Sequence, residues 1–126
     1  MKQVVNTDKA PSAIGPYSQA IKANGFIFVS GQLPVVPTNG QFAEGGIVAQ
    51  TKQSLENVKA ILVQAGCTFD DVVKTTVLIK DMNDFAVMNN MYAEFFTKEC
   101  PARACFEVAR LPKDALVEIE VIAICK

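Results

Sequence analysis

Residues 19–30 read QAIKANGFIFVS and contain the clearest local fold signal in the chain. Two strand-like segments, 19–23 and 26–30, flank Asn24-Gly25, the dipeptide that a two-residue type I′ hairpin turn prefers. Pro34 follows soon after and has no N–H group to donate to a sheet, so pairing of the second strand should end there. The sheet is therefore predicted to begin with an antiparallel hairpin.

The elements on either side of this hairpin are predicted from hydrophobic periodicity. Apolar residues three and four apart over 47–65 predict a helix, which ends where Gly66 can adopt a left-handed conformation. A second helix is predicted over 84–97, with Asn83 as its cap. The predicted strands are 73–80, 103–109 and 115–124, with a short leading strand at residues 4–5. Two helices on one face of a mixed sheet is the simplest packing, so we predict an α+β fold in a single domain spanning 1–126.

The last strand predicts that the second face of the sheet is only partly polar. One side of this strand is fully apolar, while Glu118 and Glu120 stand on the other side among Leu116, Ile122 and Ile124. Because the two helices cover only one face, this second face still has apolar surface to bury. Association with further copies of the chain is the simplest way to bury it.

Composition excludes several classes of function. The chain has 12 basic and 13 acidic residues, a net charge of -1, and no histidine. It therefore lacks a basic surplus for a nucleic acid, and it cannot use imidazole as a metal ligand or general base. The four cysteines have no metal-ligand spacing, so no metal is expected. No segment resembles a signal peptide or a membrane span, so we expect a soluble cytoplasmic protein with free thiols.

Chemistry is concentrated in the last two predicted strands. Arg103 and Cys105 share one face of their strand. If this strand pairs with the last one and Cys105 lies opposite Glu118, then Arg103 lies opposite Glu120. The grouping is either a functional cluster or a structural cross-strand ion pair, and the sequence leaves the register open.

The segment containing these residues resembles the C-terminal signature of the Rid family, the reactive intermediate enamine/imine deaminases, and is closest to the RidA subfamily. The signature reads PARACFEVARLPKD over 101–114 and VEIE over 117–120. Further matching segments are AIGPYS (13–18), VSGQLP (29–34), QSLENVK (53–59) and VKTTV (73–77). The resemblance covers essentially the whole chain, in order.

The resemblance implies a fold, an assembly and a reaction. The fold is a sheet packed on two helices, similar to chorismate mutase, and three copies form a homotrimer with ligand clefts between subunits. The implied substrates are 2-aminoacrylate and 2-iminobutanoate, which water converts to 2-keto acids and ammonia. No cofactor is implied.

The resemblance also implies the site residues. Arg103 would bind the substrate carboxylate through two parallel hydrogen bonds, and Glu118 would hold and deprotonate the attacking water. The other implied pocket residues are Tyr17, Ser30, Gly31, Asn89 and Cys105. We interpret Cys105 as a pocket-lining thiol and not a nucleophile, because no histidine is present to activate it.

A second interpretation uses the same cleft without catalysis. The chain would then be a trimeric sensor or regulator that binds 2-keto acids or other carboxylates. The two hypotheses differ in that the enzyme turns its ligand over, whereas the sensor only binds it. RNA cleavage has been attributed to some relatives. The absence of histidine, the net charge of -1 and a pI near 5.4 argue against it here.

Overall fold

The predicted hairpin is present in the structure, a computed structural model that describes residues 1–126. Asn24 and Gly25 have φ angles of 57° and 81°, the left-handed values that a type I′ turn requires. The strands are β1 (Gln3–Val5), β2 (Ala20–Ala23), β3 (Phe26–Gln32), β4 (Val72–Ile79), β5 (Ala102–Glu107) and β6 (Val117–Ile124). The helices are α1 (Gly46–Gln64) and α2 (Phe85–Tyr92).

The six strands form one mixed sheet in the order β1-β2-β3-β6-β4-β5. Neighbouring strands are antiparallel except β4 and β5, which are parallel because α2 carries the chain back between them. Both helices pack on one face, over a core whose centre is Ile27, Val77, Ile79, Val117 and Ile119. The predicted class, α+β with two helices on a mixed sheet, is confirmed.

The other face of the sheet is open, and its apolar residues are only partly covered. Along β6, Glu118 and Ile122 are half-buried while Glu120 and Ile124 are exposed, which is the predicted alternation. Phe26 and Phe28 of β3 extend the same surface and are 40% and 46% exposed. This open face thus combines aromatic and aliphatic side chains with two carboxylates. No helix of the chain is both long enough and apolar enough to cross a membrane.

The pairing considered for the last two predicted strands is wrong. β5 pairs only with β4, and Arg103 lies beside Thr75 of that strand. β6 lies on the far side of β4, with Glu118 opposite Leu78. The reason is topological: the connection through α2 places β5 at the edge of the sheet, so β6 enters between β3 and β4.

The second helix is shorter than predicted. It ends at Tyr92. The backbone then forms hydrogen bonds between residues three apart, such as that from the Phe95 N–H to the Tyr92 carbonyl at 3.0 Å. Phe95 and Phe96 both contact the ring of Phe69, with ring centroids 5.5 and 5.1 Å apart. Successive residues of a helix point about 100° apart, so leaving the helix allows both rings to reach the same partner.

The predicted cap of this helix is also wrong. A 3-10 turn over Met82–Asp84 precedes α2, and Asp81 caps that turn by accepting the Asn83 N–H at 2.9 Å. Asn83 is therefore the donor to a capping side chain and not the cap itself.

The expectation of four free thiols is wrong for one pair. Cys67 and Cys125 form a disulfide, with Cα atoms 5.9 Å apart, whereas Cys100 and Cys105 are free. Cys67 follows the end of α1 and Cys125 follows the end of β6, and α1 packs against β6, so the two ends meet. The cytoplasmic location rested on the lack of a segment resembling a signal peptide and stays a prediction.

Candidate active site

A bulge in β3 forms the first part of the candidate site. Val29 pairs with Val121 and Gln32 with Ile119, so two residues, Ser30 and Gly31, lie opposite the single residue of β6 between those partners. Such bulges redirect side chains and are frequent beside active sites. Here the bulge lies on the open face, next to the carboxylate of Glu118.

Gly31 is a glycine because Glu118 packs over it. The other six glycines have positive φ angles, whereas the backbone conformation at position 31 does not require a glycine. A Cβ atom on Gly31 would lie 2.9 Å from Glu118 Cδ and 3.1 Å from its Cγ, closer than ordinary van der Waals contact. The missing side chain therefore creates the space that the Glu118 carboxylate occupies.

Glu118 is half-buried on this face and accepts no hydrogen bond from the protein. Burial, and secondly the nearby Glu120 carboxylate, raise the pKa of Glu118 above its ordinary value. A carboxylate with a raised pKa is a stronger base than a free one. Glu118 therefore has the environment of a general base.

The loop that carries Tyr17 is fixed to the bulge by two hydrogen bonds from Ser30. The Ser30 hydroxyl donates to the Ser18 carbonyl at 2.6 Å, and the Ser30 N–H donates to the Gln19 carbonyl at 2.9 Å. Tyr17 is 53% exposed and lines a cleft of about 440 Å³ together with Ser30 and Glu120. Tyr17 and Ser30 thus line one cleft, whereas Glu118 contacts Gly31 beside the bulge and does not line this cleft.

Gln19, which sequence reasoning missed, holds this loop in place. Its buried amide accepts the Thr7 N–H at 2.7 Å and donates to the carbonyls of Thr7 and Pro11 at 2.9 and 2.8 Å. A single glutamine at the start of a strand gives no signal of this role in the sequence.

Arg103 forms a second group of site residues, under α2. Its NH1 atom donates to Asn89 Oδ1 at 2.6 Å, and its guanidinium carbon lies 4.8 Å from the ring centre of Tyr92 and 5.4 Å from that of Phe85. The only ion pair in the chain joins Arg110 and Asp114, so Arg103 has no carboxylate partner. The cross-strand ion pair considered from the sequence is therefore absent.

Cys105 lies two residues further along the same face of β5. Burial raises the pKa of its thiol, while the charge of Arg103 acts in the opposite direction and is the smaller effect. A thiol with a raised pKa carries little thiolate near neutral pH, so it is a poor nucleophile. Its environment fits the predicted role of a lining residue.

The two groups of residues lie on opposite faces of the sheet. Arg103, Asn89 and Cys105 are on the helix-covered face at the β5 edge, whereas Glu118 and Gly31 are on the open face. A single chain therefore does not bring the predicted carboxylate-binding group and the predicted base together. No cluster of three or more His, Cys, Asp or Glu side chains is placed to hold a metal ion.

These features agree with a known class of protein. The family described as Endoribonuclease L-PSP matches residues 7–125, and the chain belongs to that family. The Rid resemblance is confirmed as well: a solved structure of a Rid-family protein from Yersinia pestis is 52% identical, covers 98% of this chain and 99% of its own, and superposes with a TM-score of 0.94.

Other proteins are similar to this chain over nearly their whole length, and one of them is named for an activity. A RutC family protein of Pyrococcus horikoshii is 58% identical over 123 residues, with 98% of each chain covered. The 2-iminobutanoate/2-iminopropanoate deaminase of Mus musculus is 50% identical over 124 residues, covering 98% of this chain and 92% of its own. The structure of E. coli TdcF with bound serine is 46% identical, with a TM-score of 0.94 and coverage of 98% and 99%.

Proposed function

We propose that the chain is a hydrolytic deaminase that converts 2-imine and 2-enamine carboxylates, such as 2-iminobutanoate and 2-aminoacrylate, to 2-keto acids and ammonia. The observation that carries this proposal is Arg103, a half-buried guanidinium held in place without a carboxylate partner. A fixed, uncompensated cation is suited to bind an anionic substrate. Deaminase relatives at about 50% identity support the choice of reaction.

The site is completed by a second copy of the chain. Because Arg103 and Glu118 lie on opposite faces, the guanidinium of one copy must approach the open face of another to share a substrate with its Glu118. The open face carries partly exposed apolar residues, including Phe26, Phe28 and Ile124, whose burial would stabilise such contacts. We propose a homotrimer similar to chorismate mutase, with three such clefts.

The reaction needs only positioning and proton transfer. Arg103 binds the carboxylate of the protonated imine, so its electrophilic carbon faces a water held by Glu118. The water oxygen bonds to this carbon, the C=N π electrons move to nitrogen, and Glu118 takes a water proton. Glu118 returns that proton to the nitrogen, the C–N electron pair leaves with ammonia, and the hydroxyl loses its proton to solvent and becomes the keto oxygen. Each proton transfer contributes about 10²–10⁴-fold.

A competition assay tests this function. A serine or threonine dehydratase generates the imine in the presence of semicarbazide, and the purified protein competes with the trap. We expect wild type to reduce the semicarbazone signal and Arg103→Ala to fail. Arg110→Ala is the matched control, because Arg110 is exposed and paired with Asp114 at 2.9 Å.

The results separate the hypotheses. Full activity of a folded Arg103→Ala would refute the carboxylate-binding role. No competition by folded wild-type oligomer, combined with binding of 2-oxobutanoate, would instead support the sensor. Sedimentation as a monomer at assay concentrations would refute a site shared between copies.

A further inference from the structure

The surroundings of Arg103 are unusual for an arginine that is half-buried. Such a cation ordinarily pairs with a carboxylate, and that pair uses the N–H groups in the plane of the guanidinium. Arg103 instead lies over the ring of Tyr92 and near that of Phe85. A contact with an aromatic ring pairs none of the N–H groups with an acceptor, and Arg103 makes a single hydrogen bond.

One in-plane donor is used to fix the rotation of the group. Asn89 Oδ1 accepts a single hydrogen bond from NH1, at 2.6 Å. A guanidinium has five N–H donors, so most of them are still available for a substrate carboxylate. Two rings and one amide oxygen thus define the orientation of Arg103 without neutralising it.

The Tyr92 ring is itself tied to the strand beside Arg103. Its hydroxyl forms a 2.7 Å hydrogen bond with Thr75 Oγ1, and Thr75 is the residue of β4 that lies beside Arg103 in the parallel pair. Phe96 also packs against the Tyr92 ring, with ring centroids 4.6 Å apart. The Tyr92 ring is therefore held beside the guanidinium by contacts that do not involve Arg103 itself.

We propose that Tyr92 and Phe85 are positioning residues that hold the Arg103 guanidinium in the orientation needed to bind a carboxylate. The inference rests on the proposed function for the identity of the substrate, but the orientation itself can be measured without turnover. Tyr92 acts through its ring, and its hydroxyl serves to anchor that ring to Thr75.

Arginine Nε–Hε NMR signals give a direct measurement. Arg103 and Arg110 are the only arginines of the chain, so two signals are expected. The ring current of Tyr92 should shift the Arg103 signal upfield, and Tyr92→Leu should remove that shift while the Arg110 signal stays in place. An Arg103 signal that does not move in Tyr92→Leu would overturn the proposal.

Affinity for 2-oxobutanoate, titrated against the folded oligomer, tests the consequence. Loss of the ring contact in Tyr92→Leu should weaken binding roughly 3- to 30-fold, and Tyr92→Phe should recover most of that loss. Phe85→Leu provides a second variant in case Tyr92→Leu fails to fold. Phe95→Leu is the matched control, since Phe95 lies in the same aromatic cluster but contacts Phe69 instead of Arg103.

Unchanged affinity in both Tyr92→Leu and Phe85→Leu would overturn the inference, even if wild type is an active deaminase. Weakened affinity in these variants, with no turnover by wild type, would support the inference and refute the proposed function. An equal loss of affinity for 2-oxobutanoate in Phe95→Leu would show a general packing effect and would also overturn the inference.

Discussion

Gly31→Ala tests whether the position of the Glu118 carboxylate determines activity. The added Cβ would lie 2.9 Å from Glu118 Cδ, whereas ordinary contacts of a Cβ begin near 3.4 Å. The carboxyl carbon must therefore retreat by at least about 0.5 Å, and the oxygen nearest Gly31 must move further. The atoms that must move are at the end of a flexible side chain, so the backbone is not forced to shift.

The expected effect is on catalysis and not on folding. A displacement approaching 1 Å in a catalytic group costs about 100-fold in rate, so we expect kcat/KM to fall by about 10- to 100-fold. The free energy of unfolding should change by less than about 1 kcal/mol, because alanine also lowers the entropy of the unfolded chain. The measurements are the semicarbazide competition assay and urea unfolding.

A double-mutant cycle shows whether the effect passes through Glu118. Glu118→Ala removes the atoms that the new Cβ meets, so Gly31→Ala should cause little further loss in that background. Independent, multiplying losses in the double variant would refute this coupling. Wild-type activity in a folded Gly31→Ala would refute the importance of the carboxylate position itself.

The remaining predictions concern pH, the disulfide and the buried amide. Glu118 must be ionised to act as a base, so kcat/KM should rise with pH through its raised pKa. Glu120→Gln removes a like charge and should move this acid limb of the pH profile to lower pH. A limb that does not move in Glu120→Gln would contradict the assignment of Glu118 as the base. Cys67 and Cys125 are 58 residues apart, so replacing both by serine should lower the free energy of unfolding by about 4 kcal/mol in urea, without changing the acid limb. Gln19→Leu should cost roughly 1–3 kcal/mol for each buried group left unpaired, and unchanged stability in urea would contradict its role.

Local signals of the fold could be predicted from the sequence. Asn24-Gly25 predicted the turn because few dipeptides adopt two successive left-handed conformations. Gly66 predicted the end of α1 because glycine readily adopts the left-handed conformation that ends a helix. Hydrophobic periodicity located both helices, and turn signals and β-branched residues located strands. These features depend on residues close together in the chain, which is why one sequence suffices for them.

Long-range features were the ones missed. The position of β5 depends on the path through α2, so periodicity could not show that Arg103 neighbours Thr75 and not Glu120. Cys67 and Cys125 meet only because α1 packs on β6. The resemblance supplied the site residues as a set, but it did not show that Arg103 and Glu118 lie on opposite faces within one chain.

The strand order has a consequence for synthesis on the ribosome. β6 is synthesised after the other five strands, yet it lies between β3 and β4 and is the only strand that joins them. A nascent chain that lacks residues 117–124 therefore holds two unconnected β segments, each with an unpaired edge that another chain could capture. The sheet can close only after residues 117–124 have been synthesised, so we expect the nascent protein to depend on chaperone protection until that point.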